Sequence, residues 1–218
     1  VASCRDGRVE CIKLWNVPCY AAVLDAEVQV PGFGPVKLDV GYGGAFFAIV
    51  DATPFGFDIV ASEARRLVEV GEVIKQAANE QLSVVHPDMP DVNSITFTEF
   101  TLPIQMRDGE LTGRNTVVIS PGKLDRSPCG TGTSARMAVL HAKGELNVGD
   151  GFVSRSVINS RFDAKVESET TLSDGTTAIV PSIAGRAWIT GFHDYVCDPN
   201  DPWPQGYTLS DTWFRALD

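Results

Sequence analysis

The run Asp125 to Ala135, DRSPCGTGTSA, holds the densest set of residues in this chain that can do chemistry. A thiol at Cys129 stands four residues after the carboxylate of Asp125 and directly after Pro128. Gly130 and Gly132 follow it, and Ser127, Thr131, Thr133 and Ser134 supply hydroxyls. The run leaves an apolar stretch, Thr116 to Ile119, through Ser120, Pro121 and Gly122, and enters residues with helical spacing from Thr133 to Lys143. Cys129 is therefore expected where a loop becomes a helix. There the first backbone N–H groups lack a partner within the helix and the dipole is positive, so an anion is stabilised. Both a thiolate and a substrate carboxylate are anions. The position predicts a thiol pKa drawn below the ~8.5 of free cysteine, making Cys129 a candidate nucleophile or proton acceptor and the most reactive of the thiols near neutral pH. Gly130 and Gly132, without a Cβ, are expected to let a ligand approach the amides of Gly130 to Thr133. The competing reading is a small cysteine packed in a tight turn.

The elements that must hold this run are read from periodicity. Arg8 to Leu14 alternates after a turn at Gly7, within a strand-forming region from Val1 to Tyr20. Val23 to Val30 and Val36 to Val40 flank PGFGP, Pro31 to Pro35, and predict a hairpin. After a break at Gly41 to Gly44, the unalternating Ala45 to Val50 suits a strand buried on both faces. Leu67, Val70, Ile74 and Ala77 or Ala78 recur at helical steps between Ser62 and Gln81, with Ser62 as the expected N-cap and Glu63 in the first turn. The prolines of His86 to Asp91 stop that helix, and Ile95 to Phe100 resumes alternation. Asp108 and Gly109 mark a hairpin tip. Phe152 to Ile158, Phe162 to Val166 and Ala178 to Ile183 read as strands, and Ala187 to Thr190 and Tyr195 to Cys197 as further ones in a β-rich tail. Trp203 and Trp213 are expected to pin the last loop to the body. Many strands with two helices predict an α+β domain in which sheets wrap the motif helix.

Composition narrows the partners. A net charge of -10 and a pI near 4.7 argue against nucleic acid or an anionic membrane surface. No apolar run approaches the ~20 residues of a membrane span, and no charged-then-apolar leader opens the chain, so a cytoplasmic setting is expected. Five cysteines, at 4, 11, 19, 129 and 197, form no CxxC pair and suit free thiols in a reducing compartment. His86, His141 and His193 have no ligand spacing with them, so no zinc site is expected, and His141 reads as a helix-surface or half-buried residue.

The cysteine run resembles the second cysteine motif of the proline racemase and hydroxyproline epimerase family. Asn16 to Ala52, Asn79 to Asp91, GRAWITGFH (Gly185 to His193) and DPNDPWPQGYTLSDTW (Asp198 to Trp213) resemble that family in the same order, so almost the whole chain is covered. The resemblance implies a diaminopimelate-epimerase-like fold: two lobes, each a curved, mostly antiparallel sheet around a central helix, with the active site between the helix N-termini. It divides this chain into a remnant of the first lobe (1–21), the second lobe (22–184) and a tail returning to the first lobe (185–218). It implies cofactor-independent inversion at the α-carbon by two cysteines, with Cys129 as one acid/base group, Gly130 and Thr131 as carboxylate donors, Asp125 on the substrate nitrogen, and no metal. The substrates implied are proline or hydroxyproline.

The family's other cysteine lies in a Gly-Cys-Gly-His type motif that this sequence lacks: Cys4, Cys11, Cys19 and Cys197 precede Arg5, Ile12, Tyr20 and Asp198. One complete lobe plus part of a second is therefore expected, as a truncated member, a cleavage product or half of a two-chain assembly, with the missing lobe or a second chain as partner and a homodimer as the assembly. Two alternatives stand beside epimerisation. One is a trans-3-hydroxyproline dehydratase, although dehydratases of the family characteristically carry threonine where Cys129 stands. The other is a non-catalytic chain that binds an amino acid or a partner subunit. The resemblance leaves Phe46, Phe47 and Phe55 to the core.

Overall fold

A computed structural model of the chain describes residues 1–207. Among them the strands are β1 (Ala2–Arg5), β2 (Arg8–Trp15), β3 (Tyr20–Val30), β4 (Gly34–Tyr42), β5 (Phe46–Asp51), β6 (Ile95–Thr101), β7 (Gln105–Arg107), β8 (Glu110–Ile119), β9 (Lys123–Leu124), β10 (Gly151–Arg155), β11 (Arg161–Thr171) and β12 (Thr177–Gly185). The helices are α1 (Ala64–Gln81) and α2 (Gly130–Ala142). The sheet runs β1-β2-β12-β11-β10-β8-β6-β5-β4-β3, with β7 and β9 pairing along β8.

Two pairings are parallel, β5 with β6 and β8 with β10; the others are antiparallel. A parallel pair needs a long crossover, and each here contains a helix: α1 lies between β5 and β6, and α2 between β8 and β10. The sheet then closes on itself. Cys19, just before β3, exchanges backbone hydrogen bonds of 2.8 Å in both directions with Ile179 of β12. The strands from β3 round to β12 thus encircle α2, an α+β arrangement of a mostly antiparallel sheet around a central helix.

The residues of α2 explain how a helix fits there. Gly132 through Leu140 are all buried, and a helix buried all round must be slim where strands approach it. Gly41 and Gly43 provide the approach on the strand side: a Cβ on Gly43 would stand 2.1 Å from the Thr131 carbonyl oxygen, and one on Gly41 2.7 Å from that of Ala135. Outside the ring, α1 packs Leu67, Val70, Ile74, Ala77 and Ala78 on the opposite face of the sheet. β5 is therefore covered twice, with Phe46, Ala48 and Val50 in the α1-side core and Phe47 and Ile49 in the α2-side core. That double cover accounts for its unalternating sequence.

Several local expectations are corrected. Residues 61–63 form a 3-10 turn and α1 starts at Ala64 with no side-chain cap, so Ser62 is not the N-cap. The motif helix starts at Gly130 rather than Thr133, because the Cys129 side chain itself caps it. Residues 186–207 contain no strand, and the alternation at 187–190 and 195–197 pairs with none of the described strands. Trp188, Ile189, Phe192 and Tyr195 are exposed there, and Trp203 is 61% exposed and does not pin the loop. Trp213 lies outside the described residues. Among those residues no helix is long and apolar enough to cross a membrane.

Candidate active site

The loop before α2 is fixed from both sides of the β8–β10 pair. The buried Asn115 of β8 donates its amide N–H to the Pro128 carbonyl at 2.8 Å, and the Asn115 oxygen accepts from Ser154 of β10 at 2.5 Å. Thr133 donates a second bond to the Pro128 carbonyl at 3.0 Å and lies 3.0 Å from the Ser154 hydroxyl. Burial makes an unpaired polar group costly, so a closed network such as this defines one geometry. Upstream, two turns follow in series. An Asp125 carboxylate oxygen accepts the Ser127 N–H at 2.8 Å, and the Ser127 hydroxyl accepts the Cys129 N–H at 3.0 Å, the side-chain turns that Asp and Ser favour.

Cys129 emerges from this series at φ 60°, ψ 110°. A β-carbon residue at positive φ is strained, by roughly 1–3 kcal/mol, and such strain collects at functional positions. The conformation makes Cys129 the N-cap of α2: its Sγ accepts the Gly132 N–H at 3.3 Å and lies 3.5 Å from the Thr131 hydroxyl oxygen. Among the described residues, the backbone N–H groups of Gly130 and Thr131 have no acceptor. Two free donors and the positive end of a helix dipole thus stand beside the sulfur.

The electrostatics oppose one sequence expectation. Burial pushes the Cys129 thiol up to about 11; the Thr131 hydroxyl and the Gly132 N–H pull it down only in part, and the charges of Glu99 and Asp125 push it further up. The helix terminus supplies the expected partners, but a half-buried sulfur loses more hydration than one N–H and one hydroxyl restore. That raised pKa runs against the expectation that Cys129 is the most reactive thiol, and Cys4 and Cys197 are more exposed than it is.

Glu99 of β6 is the residue the sequence reading missed. It is fully buried, neither carboxyl oxygen makes a well-formed hydrogen bond with a described residue although the Asn115 amide lies near, and it lies beneath the first turn of α2 beside Gly132. Burial pushes it up to about 8; the Arg136 charge and the nearby Asn115 side chain lower it incompletely. Arg136, itself buried in α2, donates to the Arg114 carbonyl at 3.0 Å and the Leu102 carbonyl at 2.6 Å. The signal was available: Glu99 shares the inward register of β6 with Phe97, so an acid stands where an apolar residue is due.

Cys129, Gly130 and Thr131 are brought together at one helix terminus, and Asp125 lies one turn upstream with its carboxylate bonded to the Ser127 amide. The two glycines differ. A Cβ on Gly130 would meet nothing within 4 Å, whereas one on Gly132 would press on Val117 at 2.9 Å, so Gly132 serves packing and Gly130 the open side. Phe46 and Phe47 are buried and Phe55 is half-buried, as core residues. His141, half-buried, binds the Leu146 carbonyl and Glu169.

This geometry can be set beside known proteins. The sequence profile of the proline racemase family matches residues 1–208. The chain belongs to that family. Among solved structures, a hydroxyproline epimerase from Agrobacterium vitis with bound trans-4-hydroxy-L-proline is 39% identical, with a TM-score of 0.83, over 97% of this chain and 60% of that one. A probable proline racemase from Agrobacterium radiobacter K84 with bound carbonate is 40% identical, with a TM-score of 0.82, over 97% of this chain and 61% of that one. The chain thus spans about three-fifths of the length of these relatives, and its diaminopimelate-epimerase-like fold is theirs.

Proposed function

We propose that this chain supplies half of the active site of a cofactor-independent racemase or epimerase acting at the α-carbon of proline or hydroxyproline. The observation that carries the proposal is the Cys129 sulfur as N-cap of α2 beside the acceptor-free amides of Gly130 and Thr131. A substrate carboxylate accepting those two N–H bonds would bring its α-carbon to the sulfur. When the α-proton leaves, negative charge flows into that carboxylate, and fixed donors aimed there stabilise the developing charge. The Asp125 carboxylate, one turn upstream, is the group we assign to the positively charged ring nitrogen.

Inversion requires one group to remove the α-proton while another delivers a proton to the opposite face. A thiolate that takes the proton becomes a thiol, and the thiol that gives one becomes a thiolate, so the pair ends a turnover with roles exchanged. With its pKa near 11, Cys129 is protonated at neutral pH and begins as the donor. Its counterpart is not Cys19, which is fully buried and whose thiol burial pushes up to about 12. We assign the counterpart to the lobe that bears the family's Gly-Cys-Gly-His motif. Residues 1–21 and 185–218 then belong with that first lobe and 22–184 form the second, which suits the exposed apolar side chains of β2 and of residues 186–207. Covering them in a homodimer of two-lobed subunits, within a reducing cytoplasm, completes the reading.

The test follows the α-proton signal and optical rotation of L-proline and trans-4-hydroxy-L-proline in deuterium oxide. The 218 residues alone are expected to give no inversion at an ordinary enzymatic rate. Joined to a lobe with the Gly-Cys-Gly-His motif they are expected to invert substrate, and Cys129→Ser to abolish it. Inversion that persists in Cys129→Ser would overturn the assignment.

A further inference from the structure

Strand registry gathers arginines on the outer face of the ring, away from Cys129. Gly113 of β8 and Ser154 of β10 point toward α2, where they meet Arg136 and Thr133. With a period of two, their neighbours Arg114 and Arg155 point outward, and the parallel β8–β10 register sets those two residues side by side. β7 extends the same face, with Gln105 opposite Thr112 and Arg107 opposite Glu110, and β11 places Arg161 across from Arg155.

The four guanidinium groups are not alike. Arg161 is satisfied by two carboxylates: Glu110 accepts from it at 2.9 and 2.7 Å, and Asp163 accepts from its Nε at 2.8 Å. The other three have no carboxylate partner among the described residues. Arg114 donates to the Ser156 carbonyl and the Asn159 side chain, both at 3.0 Å, which fixes its fork in place. Among the described residues Arg107 donates only to the Gln105 oxygen, at 3.2 and 3.1 Å. Arg155, half-buried, makes no side-chain hydrogen bond or ion pair with a described residue, and its charge acts on Glu110 from a distance.

These three line one cavity of about 60 Å³, together with Gln105 and Thr112 and apolar walls from Leu102 and Pro103. Every charged group in that lining is an arginine. Arg107 and Arg155 also line the adjoining hollow of about 240 Å³, together with Glu110, which Arg161 holds, and Asp108 on the β7–β8 turn, and the Arg155 charge helps to lower the Glu110 pKa. Arginines gathered in one lining repel one another: burial first, and then the Arg107 and Arg155 charges, pull the Arg114 pKa down. A chain with net charge -10 has carboxylates to spare, yet none lines the smaller cavity.

We propose that Arg107, Arg114 and Arg155 form a binding site for a small phosphate-bearing molecule, separate from the Cys129 site. Guanidinium forks match phosphate oxygens with paired, charge-assisted bonds. Three forks around one small cavity suit a tetrahedral dianion with three acceptor oxygens better than a single carboxylate.

The test is calorimetric titration of the folded chain with inorganic phosphate at low ionic strength. Saturable one-to-one binding is expected, weakened about tenfold or more in Arg155→Gln, since a charged hydrogen bond is worth that much. Arg155 has no hydrogen-bond partner among the described residues to lose, so the variant is expected to keep the wild-type melting temperature, and the exposed Arg107→Gln serves as a second variant. Arg65→Gln, on the exposed surface of α1, makes the same change in net charge elsewhere and should bind like wild type. Equal weakening by Arg65→Gln and Arg155→Gln, or no saturation by phosphate, would overturn the site. Malonate binding as tightly as phosphate would overturn the phosphate class.

Discussion

Glu99 Oε2 and Cys129 Sγ flank a single point: a Cβ built on Gly132 would stand 3.2 Å from the first and 3.3 Å from the second. The absence of that carbon leaves no Gly132 side chain between the buried carboxyl group and the thiol. Each ionisation disfavours the other, because two like charges in a place of low effective dielectric repel strongly. Burial holds the Cys129 thiol up first, and the Glu99 charge adds to it.

Removing one member should release the other. Glu99→Gln keeps the shape of the neutral carboxyl and takes away its charge, so the Cys129 thiol is expected to titrate lower. Near pH 9 the alkylation rate of Cys129 should rise about threefold, the scale set by one nearby charge. Iodoacetamide labelling across pH with peptide mapping reads this. An unchanged profile for Cys129 would show that the carboxyl does not act on the sulfur. In the wild-type chain the same mapping should find Cys4 and Cys197 labelled before Cys129.

Glu99 also predicts a pH dependence of stability. Its pKa in the fold is about 8, whereas an unfolded glutamate ionises near ~4.3. The folded value is raised, so the stability is fully present below ~4.3 and is lost as pH rises through 8. The Gln variant lacks this loss. Its advantage over wild type should therefore grow between pH 5 and pH 8, toward the order of 4 kcal/mol at the scale of 1.36 kcal/mol per unit. Thermal melts of both chains across that window check it, and a constant difference would refute the buried, neutral carboxyl.

The same contacts separate two kinds of glycine. Gly43→Ala would drive a Cβ into the Thr131 carbonyl at 2.1 Å, backbone against backbone, and should cost at least about 1–3 kcal/mol, as overpacking does. Gly130→Ala meets nothing within 4 Å and should fold normally, while placing a methyl group on the side where a carboxylate would approach. Denaturant titration of the two variants distinguishes them: comparable losses would mean that α2 is not wedged against β4 as described.

The fold was legible wherever burial leaves a periodic trace. The hairpin of β3 and β4, the doubly covered β5, the apolar stripe of α1 and the loop-to-helix junction at Cys129 each follow from local spacing. What stayed hidden depends on neighbours distant in sequence. Gly41 and Gly43 read as a break because the helix they admit lies some ninety residues later. Asn115 and Ser154 are ordinary strand polar residues until β8 and β10 pair over Pro128. The sign of the Cys129 shift could not be read locally, since the helix terminus is a property of the motif and the desolvation is a property of the closed ring. The strands expected near 187–190 and 195–197 failed for the converse reason: alternation proposes a strand, but only a partner edge makes one.

Asp125 offers the sharpest separation between a structural and a chemical role. One of its oxygens already accepts the Ser127 N–H at 2.8 Å, and Ser127 in turn holds the Cys129 amide, so the residue is a turn-former whatever else it does. Asn presents the same acceptor oxygen without the charge, and Ala presents neither. If Asp125 also holds the substrate nitrogen, Asp125→Asn should melt near wild type yet bind pyrrole-2-carboxylate or proline more weakly by roughly 1.5–3 kcal/mol, the scale of a charged hydrogen bond. Asp125→Ala should lose that binding and about 1 kcal/mol of stability besides, as an unsatisfied turn amide does. Both measurements belong on the chain joined to the lobe with the Gly-Cys-Gly-His motif, by calorimetric titration and by melting. Should Asp125→Asn bind like wild type while Asp125→Ala melts lower, the carboxylate shapes the loop and another group meets the nitrogen.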